Sequence, residues 1–254
     1  MDKTPPLIQV DKLSKHYKSH RAVQGLSFEV RRGEVYGLLG PNGAGKTTTL
    51  RILASSLAPT AGSARIDGLD SHKDALAVRS SIGVVNGNMG LYARMTGRET
   101  LHYFGRLYKL SKQDIEGRIA ALDSVLDLRD CLEKHSSSFS TGMKQKIVIA
   151  RALLHNPKVI LFDEATSGLD VFARRAVLDF VKAYPTAERA VVYSTHVMSE
   201  AEELCDRIGI IFKGKLIAEG TLEQLLEEAQ EPSLERAFFS LALQRERAQH
   251  EGAA

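Results

Sequence analysis

The sequence predicts an α/β fold. A mixed, mostly parallel sheet forms the core, with a small antiparallel β-subdomain and a helical subdomain inserted between two sheet-forming regions. Three observations carry that reading. KVILFD (158–163) and AVVYST (190–195) are almost continuously apolar, as strands covered on both faces of a parallel sheet are, and a helical stretch from Val171 to Tyr184 separates them as in a βαβ unit. Residues 7–36 instead break into short runs divided by turns, the middle one alternating apolar and polar positions like a half-buried strand. Residues 97–156 keep apolar positions three and four apart, as in RETLHYFGRLYKL and GRIAALDSVLDL, which is helical spacing.

In chain order, LIQVDKL, AVQGLSFEV and GEVYGLL are the first strands, the last entered through the Arg31-Arg32-Gly33 turn. From Gly45 the pattern turns helical in KTTTLRILASSL and stops at Pro59. GSARIDG is a short strand bounded by glycines, followed by a charged helix around His72 to Arg79 and the strand SIGVV. After the helical insertion and the βαβ unit, RIGIIFKGKLIAEG reads as a hairpin and Leu222 to Glu228 as a helix. PSLERAFFSLALQRER forms an amphipathic helix that packs on its own domain or serves a partner, the former being the simpler reading. Residues 1–243 are thus expected to be one domain, with the helical subdomain at about 97–156 and residues 244–254 a polar, flexible tail.

With 43% hydrophobic and 26% charged residues, the balance is that of an ordinary globular chain. A net charge of +3 gives a nucleic-acid surface no support, and no nucleic-acid partner is expected. The two cysteines, Cys131 and Cys205, form no CxxC pair and lie near no histidine at metal-ligand spacing, so both read as free thiols in a reducing compartment. MDKTPPLIQV lacks the apolar segment and cleavage site of a signal peptide, and no apolar run is long enough to span a bilayer.

The strongest chemical signal is GPNGAGKTT at 40–48, between the strand VYGLL and a helix. Gly40, Pro41, Asn42, Gly43, Ala44 and Gly45 form a loop whose accessible N–H groups, at a helix N-terminus, suit a polyphosphate. Lys46 reaches the outer phosphates, the Thr47 hydroxyl ligates Mg²⁺, and Thr48 continues the cradle. Such a loop marks a P-loop NTPase core that binds a nucleoside triphosphate. KVILFDE then ends a buried strand in two carboxylates. Asp163 is positioned to hold the Mg²⁺ through water and Glu164 to activate the attacking water. His196, at the end of AVVYST, is positioned to contact the γ-phosphate or orient Glu164.

FSTGMKQK (139–146) opens a helix after a serine-rich approach, and with the preceding motifs it resembles the signature of ATP-binding cassette (ABC) ATPases. The family's Leu-Ser-Gly-Gly-Gln falls on Phe139 to Met143, of which Ser140 and Gly142 match; the variant is similar to that of exporter subunits. A hydroxyl and a bare N–H at a helix N-terminus suit a phosphate, and the resemblance implies that this phosphate belongs to ATP held by a second copy. TSGLD (166–170) looks like the family's D-loop, whose Asp170 crosses the dimer interface, and Tyr17 falls where the family stacks an aromatic on adenine. The likeness makes His196 the family's switch histidine.

One position departs. Gly87 stands where the family has a metal-touching glutamine, flanked by Asn86 and Asn88, so an asparagine substitutes, water does, or the coupling contact is weaker. GLYARMTGRETLHYFGRLYKL is similar to the sodium-exporter group of the ABC-2-type branch. The resemblance implies an ATP-hydrolysing subunit that dimerises around two ATP, with Mg²⁺. It would drive a separate integral membrane permease from the cytoplasmic face of the plasma membrane, possessing no span of its own, and the docking surface would lie near Asn86 to Thr100. Two rivals belong to other classes. An ABC ATPase acting on nucleic acid or ribosomes is disfavoured because the stretch between Lys46 and Ser140 has no heptad array and the chain has one cassette. A regulatory nucleotide binder is disfavoured by intact Glu164 and His196.

Overall fold

The computed structural model describes residues 5–87 and 89–251. Strands β1 (Ile8–Tyr17) and β2 (His20–Val30) form a hairpin and lead to β3 (Val35–Leu39) and helix α1 (Lys46–Leu53). Strands β4 (Ala61–Ile66) and β5 (Leu69–Asp70) precede α2 (Ala75–Ser81) and β6 (Ile82–Asn86). The inserted region holds α3 (Gly97–Leu107), α4 (Lys112–Leu126), α5 (Arg129–Leu132) and, past a 3-10 turn at Ser136–Ser138, α6 (Thr141–Leu153). Then come β7 (Val159–Asp163), α7 (Val171–Ala183), β8 (Ala190–Thr195) and α8 (Met198–Leu204). The hairpin β9 (Arg207–Phe212) and β10 (Lys215–Gly220), with α9 (Leu222–Ala229) and α10 (Leu234–Glu251), completes the order.

The described strands form two sheets. One has the order β2-β1-β4-β5 and is antiparallel; the other runs β10-β9-β3-β8-β7-β6 and is parallel except for β10 at its edge. Side chains of a strand alternate between its two faces, which explains why the central strands read as unbroken apolar runs. Val35, Ile160, Phe162, Val191 and Tyr193 enter one core, shared with Leu101, Ile115 and Ile147 of the helical region. Tyr36, Leu38, Leu161 and Val192 enter another, shared with Phe28 and Val30 of the antiparallel sheet and Ile52 of α1. Each such fully buried side chain contributes about 1.5–3 kcal/mol relative to exposure. The expected mixed α/β fold is therefore the one observed, with the loop that follows β3 held between the two sheets.

Three local boundaries differ from the sequence pattern, each for a visible reason. Helix α1 stops at Leu53, short of Pro59, because Ser55 turns left-handed (φ 56°) and Ser56 Oγ donates to the Arg51 carbonyl. Helix α2 starts at Ala75, later than His72, because the Asp70 carboxylate accepts the His72 and Lys73 N–H groups and holds them in a turn. Residues 244–251, expected to be a loose tail, continue α10. That helix buries Leu234, Ala237, Phe238 and Leu241 against Ile208 and Ile210 of β9, the own-domain packing that amphipathicity suggested. Lys213 also pairs with Glu246 in it. Among the described residues, no helix is long and apolar enough to cross a membrane.

Helix α3 begins with a reciprocal cap: the Thr96 hydroxyl accepts the Glu99 N–H at 3.1 Å, and the Glu99 carboxylate accepts the Thr96 N–H at 2.8 Å. Thr96→Ala is expected to cost about 1 kcal/mol, read as a lower guanidinium midpoint at unchanged slope. An unshifted midpoint would mean that packing alone sets the start of α3.

Candidate functional site

The loop from Gly40 to Gly45 turns the chain from the end of β3 into α1. The sequence pattern attributes its glycines to close ligand approach, and the structure divides that role. A side chain at Gly40 would meet the Ile211 carbonyl of β9 at 2.1 Å, and one at Gly45 would meet the Ala22 carbonyl of β2 at 2.5 Å; packing demands both glycines. Gly43 is different. Its backbone is left-handed (φ 80°) and nothing lies within 4 Å of where a Cβ would be, so this residue leaves the mouth of the loop open.

Lys46 is 3% exposed and folds back over the loop, donating to the Gly40 carbonyl at 2.7 Å and the Pro41 carbonyl at 3.1 Å. Its ammonium lies 3.3 Å from Glu164 Oε1, and His196 Nδ1 lies 3.3 Å from the same oxygen. Glu164 has a left-handed backbone (φ 50°), uncommon outside glycine, which aims its carboxylate across the loop mouth. Its N–H is held by the Ser194 carbonyl of the neighbouring strand at 3.1 Å.

Asp163, at the end of β7, accepts from the Thr47 hydroxyl at 3.0 Å, Ser194 Oγ at 3.3 Å and Asn86 Nδ2 at 3.2 Å. Burial raises its pKa above the ordinary carboxylate value, against the lowering effect of the Thr47 and Ser194 hydrogen bonds. The Thr47 hydroxyl and the Asp163 carboxylate are hard oxygen donors side by side, a set that suits a divalent cation such as Mg²⁺. Gly87 does not belong to it. Its N–H donates to the Asp163 carbonyl at 3.3 Å, and a side chain there would meet the Glu164 carbonyl at 2.8 Å, so the turn admits no glutamine without shifting. Of the two flanking asparagines, Asn86 reaches Asp163, while Asn88 lies outside the described residues.

A cleft of about 380 Å³ opens over the loop, lined by Tyr17, His20, Asn42, Gly43, Gly45, Lys46, Thr47, Thr48 and Glu164. Tyr17 is brought there because β1 runs past the expected LIQVDKL and pairs Tyr17 with His20 across the hairpin. Lys15 Nζ sits 5.4 Å from the centre of its ring. His20 is the cleft neighbour that the motifs do not name, its signal being the short turn between the two N-terminal strands, whereas Asn86 is one of the two asparagines that the sequence offers beside Gly87. Pro41 and Ala44 complete the loop itself, with the Ala44 N–H donating to the Pro41 carbonyl at 3.1 Å.

Ser140, Gly142 and Asp170 do not line that cleft. They form a second patch where two helix starts meet. Ser140 caps α6 by accepting the Met143 N–H at 3.2 Å, Asp170 caps α7 by accepting the Ala173 N–H at 2.9 Å, and a Cβ at Gly142 would touch Ala173 Cβ at 3.1 Å. The two cysteines are free thiols, Cys131 buried, and burial pushes both thiol pKa values up.

The family profile described as ABC transporter matches residues 23–167. The chain is 42% identical over 221 residues to the ABC transporter ATP-binding protein NatA of Bacillus subtilis (strain 168), covering 87% of this chain and 90% of that protein. It is 36% identical to the linearmycin resistance ATP-binding protein LnrL of the same organism, covering 86% and 70%. A solved structure of the ATP-binding subunit of an ABC transporter superposes with a TM-score of 0.84 at 30% identity, over 92% of this chain and 99% of that one.

Proposed function

The chain belongs to the ABC transporter family, whose members hydrolyse ATP to power transport, and from that membership we propose how its own residues perform the reaction and what it drives. Its relatives are ATP-binding proteins of exporter-type systems, so the chain is read as the ATPase subunit of an exporter acting on a membrane-embedded partner. Sodium efflux is the substrate reading favoured by the sequence likeness to NatA.

One observation supports the site reading most. Lys46 and His196 converge on a single oxygen of Glu164 at the mouth of the phosphate loop. In this reading Lys46 exchanges the Gly40 and Pro41 carbonyls for the outer phosphates of ATP, while the N–H groups at the start of α1 hold the inner ones. Thr47 and Asp163 hold Mg²⁺, which, when bound, neutralises charge on the phosphate oxygens. Glu164 takes the proton of the attacking water, and His196 holds the Glu164 carboxylate in line. Tyr17 stacks on the adenine.

Ser140, Gly142 and Asp170 stand apart from this cleft, which favours their completing the site of a second copy. Two chains then face head to tail around two ATP, each supplying Lys46, Thr47, Asp163, Glu164 and His196 to one site and Ser140 with Gly142 to the other. A homodimer is sufficient because the one chain carries both halves. The segment from Asn86 to Thr100, beside Asp163, is the docking surface for the membrane subunit in this reading, at the cytoplasmic face of the plasma membrane.

The transport reading is tested by capturing tagged Glu164→Gln protein with ATP from detergent-solubilised native cells. A polytopic membrane protein at one-to-one ratio is the expected companion. Ribosomes, DNA, or no companion would leave an ATPase without its transporter.

A further inference from the structure

Glu200, in the sequence MSEAEEL, has the look of one more solvated charge on a helix. In the structure it is 2% exposed, and both carboxylate oxygens are filled. Oε1 accepts from the Thr166 hydroxyl at 2.8 Å and faces Arg174 Nε at 3.0 Å. Oε2 accepts from the Tyr193 hydroxyl at 2.9 Å and the Thr195 hydroxyl at 2.8 Å. Taking a carboxylate out of water costs several kcal/mol, and only a set of donors this complete offsets it.

The donors fall into two groups. Thr166 and Arg174 belong to the segment that runs from Glu164 through the Asp170 turn into α7. Tyr193 and Thr195 belong to the end of β8, and Thr195 adjoins His196. One carboxylate therefore bridges the two segments whose side chains meet at Glu164 and His196. Glu164 occupies a left-handed backbone that surrounding contacts must hold. The bridge begins two residues from it. Gln145 of α6, on the helix that Ser140 caps, donates to the Ala165 carbonyl at 2.9 Å and ties that helix to the same turn. Burial and the Glu200 charge push the Tyr193 hydroxyl pKa well up, so it stays a donor.

We propose that Glu200 is a positioning residue of the ATPase site, fixing the Glu164 turn against the His196 strand end while touching neither nucleotide nor water itself. The inference rests on the roles given above to Glu164 and His196. Glu200→Ala breaks the bridge. Glu200→Gln keeps it, because its amide oxygen can accept from Thr166 and Arg174 while its NH₂ donates to the Thr195 and Tyr193 hydroxyl oxygens.

Turnover and equilibrium ATP affinity are measured for both variants, per folded molecule, with Glu164→Gln in parallel. The expected result is a kcat roughly ten- to a hundredfold lower in Glu200→Ala, with ATP affinity unchanged and most of the rate recovered in Glu200→Gln. An unchanged kcat, or a loss confined to ATP affinity or melting temperature, overturns the proposal. If Glu200→Ala does not fold, Thr195→Val removes one anchor at similar volume, and the same split between kcat and affinity decides. Wild-type turnover by Glu164→Gln would instead overturn the site reading beneath it, so the two failures are distinguishable.

Discussion

Glu164→Gln is expected to lower steady-state ATP hydrolysis at least about a hundredfold, the low end of what a positioned general base contributes, while ATP still binds. The substitution is nearly isosteric, so it removes proton acceptance and charge without opening space. Glutamine tolerates the left-handed backbone at this position no worse than glutamate does. Lys46 loses its 3.3 Å carboxylate neighbour but retains the Gly40 and Pro41 carbonyls, so the loop keeps its shape. Binding and turnover therefore separate: equilibrium nucleotide binding stays near wild type while phosphate release falls to background. Normal turnover would remove Glu164 from its role and leave His196 with no partner to orient.

Lys46→Ala produces the opposite split. The ammonium is almost wholly buried and is the cation that meets both loop carbonyls and Glu164. A charge-assisted hydrogen bond contributes about 1.5–3 kcal/mol, so ATP affinity is expected to fall roughly ten- to a hundredfold. Titration calorimetry with the purified chain measures this directly. Some stability goes with it, because the Gly40 carbonyl loses a buried donor. ATP affinity equal to wild type would show that the loop amides alone hold the phosphates.

Much of this site was legible in the sequence because its motifs are local. A strand, a glycine-rich turn, Lys46 and two hydroxyls lie within a single stretch, and Asp163–Glu164 and His196 each end an apolar run that can only be a covered strand. Parallel neighbours bring those strand ends together, so register does the rest: Asp163 pairs with Ser194, and Leu39 with Thr195, one residue before His196. What the motifs missed depends on tertiary contact. Gly40 and Gly45 answer to the carbonyls of Ile211 and Ala22, which no spacing reveals. His20 reaches the cleft through hairpin register, and Glu200 is charged, helical and two residues from Glu202, so only packing distinguishes it from a surface residue. The end of α10 reads as polar tail because its last turns have no apolar face; the helix is carried there by the buried stripe that precedes it.

The separation of Ser140 from the Lys46 cleft makes the head-to-tail dimer the central claim, and a mixing experiment tests it most directly. Ser140→Asp keeps a good helix cap for α6 but sets a negative charge against the partner's phosphate, so it is expected to fold and not to hydrolyse. Lys46→Ala, assayed at an ATP concentration that its weakened affinity leaves mostly unbound, is expected to be nearly idle as well. In a mixed dimer, one site combines both defects and the other is wild type throughout. Mixing the two variants is therefore predicted to restore ATP hydrolysis that neither has alone, rising with total protein concentration. Hydrolysis no greater than the sum of the separate variants, at concentrations where the wild type dimerises, would contradict an active site shared between two chains.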